Sequence, residues 1–244
     1  MILSELLYKL VLFCDIVRVG KNSYCEFDKF EVGGDNIMNN PWKDISLSDY
    51  ERHMALDSVQ QLQAMNQMMK GQLNQYYIQS AMILGVAGGN GLEHVDIEKL
   101  NKVYGVDINQ EYLTITKKRY ENISDTLECL CVDLISEAEK LPQVDMLIAN
   151  LLIEYIGYEC FKKVVTVTKP IYVSCIIQIN VDDSFVSDSP YLHAFDGLET
   201  VHHQMAEQEL QNSMNEIDYQ LIQMLEHQLP NGKKLVQLDF YKKQ

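Results

Sequence analysis

A glycine-rich turn and an acidic residue stand at a spacing that suits nucleoside binding. An apolar run, 81–86, leads into the small-residue segment 87–91, and a second run, 102–106, ends at Asp107. Glycines between a buried strand and a helix let the backbone turn tightly and approach a ligand. A carboxylate about 20 residues further on can accept hydrogen bonds from both ribose hydroxyls. The pattern predicts strand, glycine turn, helix and strand around an adenosine-type ligand.

The glycine spacing argues against a dinucleotide. A dinucleotide fingerprint requires G-x-G-x-x-G, so that the pyrophosphate can lie on the helix end. Counted from Ala87, the third glycine position is Leu92, and counted from Gly89 it is His94. A nicotinamide-dependent oxidoreductase is therefore the less favoured interpretation.

The turn resembles the first motif of the class I S-adenosylmethionine-dependent methyltransferases, an acidic residue followed by G-x-G-x-G. The usual acid is replaced by Gly85 and the first glycine by Ala87. The resemblance thus implies that backbone carbonyls or another residue recognise the methionine ammonium. It covers about residues 45–244. The positions that it assigns to this cofactor-binding turn are Gly85, Ala87, Gly89, Asn90 and Gly91.

The resemblance extends beyond the turn. It implies that Asp107, followed by Ile108, binds the ribose, and that Asp133, followed by Leu134, lies at the adenine edge. Asn150 stands at the end of the fourth strand of such a fold. The implied cofactor is S-adenosyl-L-methionine. The implied reaction is transfer of its methyl group to a small molecule.

Residues outside these motifs are candidates for the acceptor side. His53 and Tyr155 are candidate catalytic residues, although a partly buried structural histidine and a helix-surface tyrosine are the alternatives. Leu151 follows Asn150 where amide- and nucleobase-methylating relatives carry N-P-P-Y, which disfavours that chemistry. The candidate substrate contacts are Tyr50, Glu154, Tyr191 and His193.

Methyl transfer from a sulfonium needs alignment and exclusion of water more than a nucleophilic motif. A general base is required only when the acceptor is protonated until attack. A second hypothesis is a non-catalytic protein that binds S-adenosylmethionine or S-adenosylhomocysteine, because Gly85 and Ala87 depart from the motif.

The amino-acid composition disfavours several classes of binding partner. A net charge of −15, from 35 acidic and 20 basic residues, disfavours nucleic acid. Six cysteines without a C-x-x-C pair predict reduced thiols in a cytoplasmic protein. The pair His202-His203 and nearby His193 lack metal-site spacing, so no metal is expected. Neither a signal peptide nor a membrane span is expected, because the apolar N-terminus is interrupted by charges.

The elements that position these residues alternate between strand and helix. This alternation predicts a Rossmann-like doubly wound α/β domain, 45–244, with a mostly parallel seven-stranded sheet and a C-terminal antiparallel hairpin. An N-terminal helical extension, 1–44, has an apolar helix face at 3–17 that is expected to pack on the domain or on a second subunit of a homodimer. Ser48 and Glu51 form a capping box that opens a helix predicted to end near Asn74 and to roof the site. The other predicted elements are strands 126–133, 143–150, 170–180, 219–229 and 234–242, helices 110–122, 158–168 and 199–215, and a substrate-side loop 181–198.

Overall fold

The structure, a computed structural model, describes residues 40–180 and 184–243. The predicted helix 3–17, on which the homodimer expectation depends, and the rest of the N-terminal extension up to residue 39 lie outside these ranges. Three residues of the predicted loop 181–198 also lie outside them. In the described part of the chain, no helix has both the length and the apolar character that a membrane crossing requires.

Seven strands form one sheet in the order β3-β2-β1-β4-β5-β7-β6. The first five strands pair in parallel, while β7 lies antiparallel between β5 and β6. The predicted seven-stranded sheet with a C-terminal hairpin is therefore confirmed. The strands are β1 Ser80–Leu84, β2 Lys102–Asp107, β3 Leu127–Cys131, β4 Met146–Asn150, β5 Tyr172–Ile179, β6 Tyr219–Gln228 and β7 Lys234–Lys242.

Helices cover both faces of the sheet. They are α1 Leu47–Ala55, α2 Gln61–Asn74, α3 Gln110–Arg119, α4 Leu134–Glu137, α5 Ile153–Thr168 and α6 Glu207–Glu216. Alternate residues of β1 point to opposite faces. Met82 packs with Phe161 of α5 in one core, and Ile83 packs with Met69 of α2 and Leu113 of α3 in the other. Because both faces are buried, the strand reads as a continuous apolar run.

The single helix predicted from Ser48 to about Asn74 is wrong. The structure divides it into α1 and α2, and Gln60 between them has a left-handed φ of 52°. The predicted capping box is also wrong, because α1 begins after Ser46 and no side chain caps it. The Ser46 and Ser48 hydroxyls bond to each other at 2.8 Å, and Glu51 pairs with Arg119 instead.

The α-helix predicted directly after the glycine turn is absent, and only a 3₁₀ turn, Leu92–His94, occurs there. Glu93 Oε2 accepts the backbone N–H of Gly91 at 3.0 Å, and Asp96 Oδ1 accepts that of Glu98 at 3.0 Å. Such local side-chain bonds compete with helix formation. Further along the chain, α5 begins five residues before the predicted 158–168 and is kinked at Gly157, where φ is 71°.

The predicted helix 199–215 begins only at Glu207. Residues Leu192–Thr200 form a 3₁₀ helix, which takes up the end of the predicted loop 181–198 and the start of that predicted helix. The 3₁₀ helix packs the buried side chains of Phe195 and Leu198 against Ile45. The substrate-side loop is therefore more regular than its polar sequence indicated.

Candidate functional site

A cleft lies at the carboxyl ends of β1, β2 and β4, where the strand order reverses direction. In open α/β sheets this topological switch point is the usual ligand site. The cleft, here called the strand-end cleft, contains about 720 Å³ of space including the solvent at its mouth. Asn40 and Trp42, which precede the predicted domain start, also line it. Of the predicted cofactor residues, those that line it are Gly85, Ala87, Asp107, Ile108, Asp133, Leu134 and Asn150.

Asp107 is held rigidly at the end of β2. Its side chain is largely buried, and its Oδ2 accepts the N–H of Ala87 at 2.9 Å while Oδ1 accepts the N–H of Asn109 at 2.9 Å. Burial raises the pKa of this carboxyl, and the backbone N–H donors act in the opposite direction. A carboxylate has about four lone-pair sites, so each oxygen retains acceptor capacity towards the cleft.

Two residues that line the cleft have backbone conformations unusual for residues with a Cβ. Ala87 has a φ of 45° and Leu151, across the cleft after β4, a φ of 53°. A left-handed conformation costs an L-residue about 1–2 kcal/mol, and such strain is concentrated at functional sites. Gly85, with a φ of 66°, adopts the same region without that cost, and a Cβ there would lie 3.1 Å from a Leu152 methyl carbon.

The second half of the glycine turn packs against the protein and does not line the strand-end cleft. A Cβ on Gly89 would lie 2.6 Å from Tyr120, and a Cβ on Gly91 would lie 2.6 Å from the sulfur of Met69. Asn90 donates to the Leu62 carbonyl at 2.9 Å. These three residues therefore hold the turn against α2 and the end of α3.

The segment that follows β3 and the end of β4 line opposite sides of the cleft. Asp133 Oδ1 accepts the N–H of Ile135 at 3.0 Å, which caps α4 and fixes the carboxyl at the cleft. The Asn150 and Gln72 amides bond reciprocally at 2.9 Å in both directions. This pair ties α2 to the end of β4, so the Asn150 side chain serves first as a structural support.

Helix α1 lies over the glycine turn. Arg119 pairs with Glu51 through its two terminal guanidinium nitrogens, and Nη2 lies 2.9 Å from Oε2. Its Nη1 also donates to the Gly88 carbonyl at 3.0 Å. The ion pair holds α1 in place, and Tyr50 on its first turn lines the cleft. The sequence prediction that this segment roofs the site is consistent with this position.

A second cavity, here called the aromatic chamber, adjoins the strand-end cleft. It contains about 540 Å³ including open solvent and shares Trp42, Tyr50 and Tyr155 with the cleft. The Trp42 ring meets Tyr155 edge-on at 4.9 Å and Tyr50 at 5.9 Å. Burial raises the pKa of both phenols, so they remain neutral hydroxyl groups. The other ring-bearing residues that line the chamber are His53, Phe185, Phe195 and His202.

Glu154, on the first turn of α5, is the single carboxylate among the described residues that line the aromatic chamber. Its side chain is buried, and Oε1 accepts the N–H of Gln178 at 2.9 Å. Oε2 has no hydrogen-bond partner among the described residues. Burial raises the pKa of this carboxyl to about 7. A buried carboxylate oxygen without a hydrogen-bond donor is uncommon in folded proteins.

Both chamber histidines are neutral at pH 7. Burial lowers the pKa of His53, with a smaller effect from the charge of Lys233, and lowers that of His202 to about 4. His53 Nδ1 is 2.8 Å from Ser189 Oγ. The His202 ring stacks on Phe185 with centroids 3.9 Å apart.

The structure does not bring all predicted substrate residues to these cavities. Tyr191 packs beside Phe195 and His193 is 93% exposed, with its Nδ1 3.3 Å from Asp196. Neither residue lines the strand-end cleft or the aromatic chamber. The described residues contain no cluster of metal-binding side chains. Neither Trp42 nor His202 was predicted from the sequence as a site residue. Trp42 is the only tryptophan of the chain, and that rarity was a sign that could have pointed to it.

Solved structures share this fold. Magnesium protoporphyrin IX methyltransferase from Synechocystis PCC 6803, with bound SAH, aligns with a TM-score of 0.60 at 9% identity over 86% of this chain and 100% of that one. N-methyltransferase NodS from Bradyrhizobium japonicum WM9, in complex with S-adenosylhomocysteine, aligns with a TM-score of 0.57 at 10% identity over 84% and 100%. The 4+2 cyclase SpnF aligns with a TM-score of 0.57 at 11% identity over 75% and 82%.

No protein-family model and no curated protein matches the chain. The structural likeness, at about one identical residue in ten, establishes the fold of the S-adenosylmethionine-dependent methyltransferases. The cyclase with the same fold shows that chemistry has to be argued from the site.

Proposed function

We propose that the protein transfers a methyl group from S-adenosylmethionine to a small-molecule acceptor. The observation that supports this most directly is the pairing of two adjoining cavities that share Trp42, Tyr50 and Tyr155. Asp107, the carboxylate proposed to bind the ribose, lines the strand-end cleft. Glu154 and His53, which would contact the methyl acceptor, line the aromatic chamber. A bisubstrate reaction requires such an arrangement, because donor and acceptor must meet without intervening water.

The residues of the strand-end cleft fit this cofactor. Asp107 retains acceptor capacity for the ribose hydroxyls, and Asp133, which lines the same cleft, would accept from the adenine amino group. Apolar side chains of Ile108 and Leu134 line the same wall and suit the adenine faces. Trp42 Nε1 is a buried donor without a partner among the described residues, and the methionine carboxylate would satisfy it.

The bound cofactor would supply an electrophilic methyl group on a sulfonium. The protein would then align the acceptor along the carbon–sulfur axis and keep water out. Tyr50 and Tyr155 stand where the two cavities meet, and their neutral hydroxyls can orient an acceptor. Glu154 and His53 line the acceptor side, and the unpartnered oxygen of Glu154 makes it the better candidate for a base.

A non-catalytic binder of the same cofactor is the second candidate, because Gly85 stands where methyltransferases place an acid and Ala87 where they place the first glycine. A nicotinamide-dependent oxidoreductase is opposed by the described turn, since no α-helix follows it to receive a pyrophosphate.

Calorimetric titration separates these functions. We expect S-adenosylmethionine and S-adenosylhomocysteine to bind and NADH not to bind. Incubation with S-adenosylmethionine labelled on its methyl carbon and a metabolite extract should then move label into small molecules. Cofactor binding without label transfer would favour the non-catalytic binder, and NADH binding without S-adenosylhomocysteine binding would refute the proposal.

A further inference from the structure

We propose that the methyl acceptor is a small-molecule amine on an aromatic body, held by its nitrogen against Glu154 in the aromatic chamber. This inference rests on the proposed function, since it names the substrate class of the same site. It depends on a buried carboxylate, on the rings around it and on the charges that are absent from the cavity walls.

The carboxylate of Glu154 is placed to receive a hydrogen-bond donor. Oε1 is fixed by the Gln178 N–H, and Gln178 itself is held by bonds from its side chain to Asn180 Oδ1 at 2.6 Å and to the Phe185 carbonyl at 2.9 Å. The carboxylate therefore has a defined orientation and one unused oxygen. A buried charge without a partner is costly, and an ammonium group would remove that cost.

The surrounding rings suit a cation with an apolar body. Trp42, Tyr50, Tyr155, Phe185 and Phe195 all line the aromatic chamber. Aromatic faces attract ammonium groups and also bury planar apolar groups. A ligand with a charged nitrogen and a flat body would use both properties.

The charges around the chamber agree with this ligand. Among the described residues, no lysine or arginine lines either the chamber or the strand-end cleft. His53 and His202 are neutral at pH 7, so they do not repel a cation. Lys233 lies close enough to act on both histidines, but its Nζ donates to the Ser184 carbonyl and does not line the chamber. An anionic acceptor would meet the Glu154 carboxylate in a cavity whose lining includes no lysine or arginine among the described residues.

Methyl transfer to such an amine balances in protons and electrons. The Glu154 carboxylate takes a proton from the acceptor ammonium, which gives a neutral amine with a free lone pair. That lone pair forms the new nitrogen–carbon bond to the methyl group while the carbon–sulfur bond breaks, and its electron pair remains on sulfur. The products are the methylated ammonium ion, S-adenosylhomocysteine and protonated Glu154, which returns its proton to solvent when product leaves.

The test uses matched probes on the protein saturated with S-adenosylhomocysteine. Calorimetry compares 2-phenylethylamine with 2-phenylethanol and 3-phenylpropanoate, and tryptamine with tryptophol and indole-3-propionate. We expect the amine of at least one set to bind at least 10-fold more tightly than its alcohol and its acid. Glu154→Gln should remove that preference, and Glu159→Gln, an exposed position on the same helix, should retain it.

The outcomes separate this inference from the proposed function. An amine preference below 10-fold in both probe sets, an amine preference that survives in Glu154→Gln, or no binding of either amine to the S-adenosylhomocysteine complex would overturn the acceptor class alone. Failure to bind S-adenosylhomocysteine would overturn both proposals. If Glu154→Gln does not fold, the order of binding within each probe set on the parent protein still decides the question.

Discussion

Replacement of Glu154 by glutamine should stabilise the protein at alkaline pH. The Glu154 side chain is 4% exposed, and burial raises its pKa from 4.5 to about 7. Each unit of difference between the folded and unfolded pKa values corresponds to about 1.4 kcal/mol of stability. The ionised carboxylate therefore destabilises the folded state by on the order of 3 kcal/mol once the pH exceeds both values.

The sign follows from proton binding. Between pH 4.5 and about 7 the folded protein binds more protons at Glu154 than the unfolded chain does, so this group's contribution to stability falls as the pH rises. Below pH 4.5 both states are protonated, and glutamine, which has a similar shape and no charge, should change little. His202 contributes an opposite slope, since its lowered folded pKa of about 4 makes stability rise with pH. The difference between variant and parent removes that contribution.

The assay is thermal unfolding of parent and Glu154→Gln at pH values from 4.5 to 8.5. A gain of about 3 kcal/mol corresponds to roughly 6–12 °C for a domain of this size, and it should develop between pH 5 and 7.5. Glu159→Gln removes a charge from the exposed side of the same helix and should show no such rise. A difference that is independent of pH, or a variant less stable than the parent at pH 8, would refute the burial argument.

Three further predictions concern the strand-end cleft and its roof. Asp107→Asn should weaken S-adenosylhomocysteine binding by about 1.5–3 kcal/mol in calorimetry, because a charged acceptor is lost; an unchanged dissociation constant in a folded variant would contradict the ribose assignment. Gly91→Ala should lower the free energy of unfolding by about 1–3 kcal/mol, and by more than Gly232→Ala does. Both glycines have a positive φ, but only Gly91 has no room for a Cβ. Equal urea midpoints for the two variants would show that crowding is not the cause. Glu51→Gln should speed hydrogen exchange in α1 by about 1.5- to 5-fold at low salt, since the exposed pair with Arg119 is worth about 0.2–1 kcal/mol, and unchanged exchange would mean that α1 is held by packing alone.

The central strands β1, β4 and β5 could be predicted from sequence because they are buried on both faces. Apolar runs such as 81–86 and 171–177 leave little choice of structure, and the Asn231-Gly232 turn marks the last hairpin. The helices that cover the site were harder to predict from sequence. The glycine at 157 is a local sign of the kink there, whereas no glycine or proline marks the break at Gln60.

Asp107 was predicted from its spacing to the glycine turn and Asp133 from the family resemblance, whereas Trp42 and His202 on the acceptor side followed from neither. Asp107 and Asp133 end neighbouring parallel strands, so their convergence is a property of the topology. The contribution of Trp42 and His202 depends on how distant loops fold over α5. No periodicity encodes the distance between Glu154 and Gln178, and the unsatisfied oxygen was visible only in three dimensions.

The short 3₁₀ turn after Gly91 has a consequence for cofactor selection. An α-helix beginning there would direct a partial positive charge at the ligand, which favours phosphates. Residues 92–101 form no α-helix, so no α-helix N-terminus follows the turn to receive a pyrophosphate. An engineer who wished to install dinucleotide binding in this chain would therefore have to build a helix after the turn as well as add the third glycine.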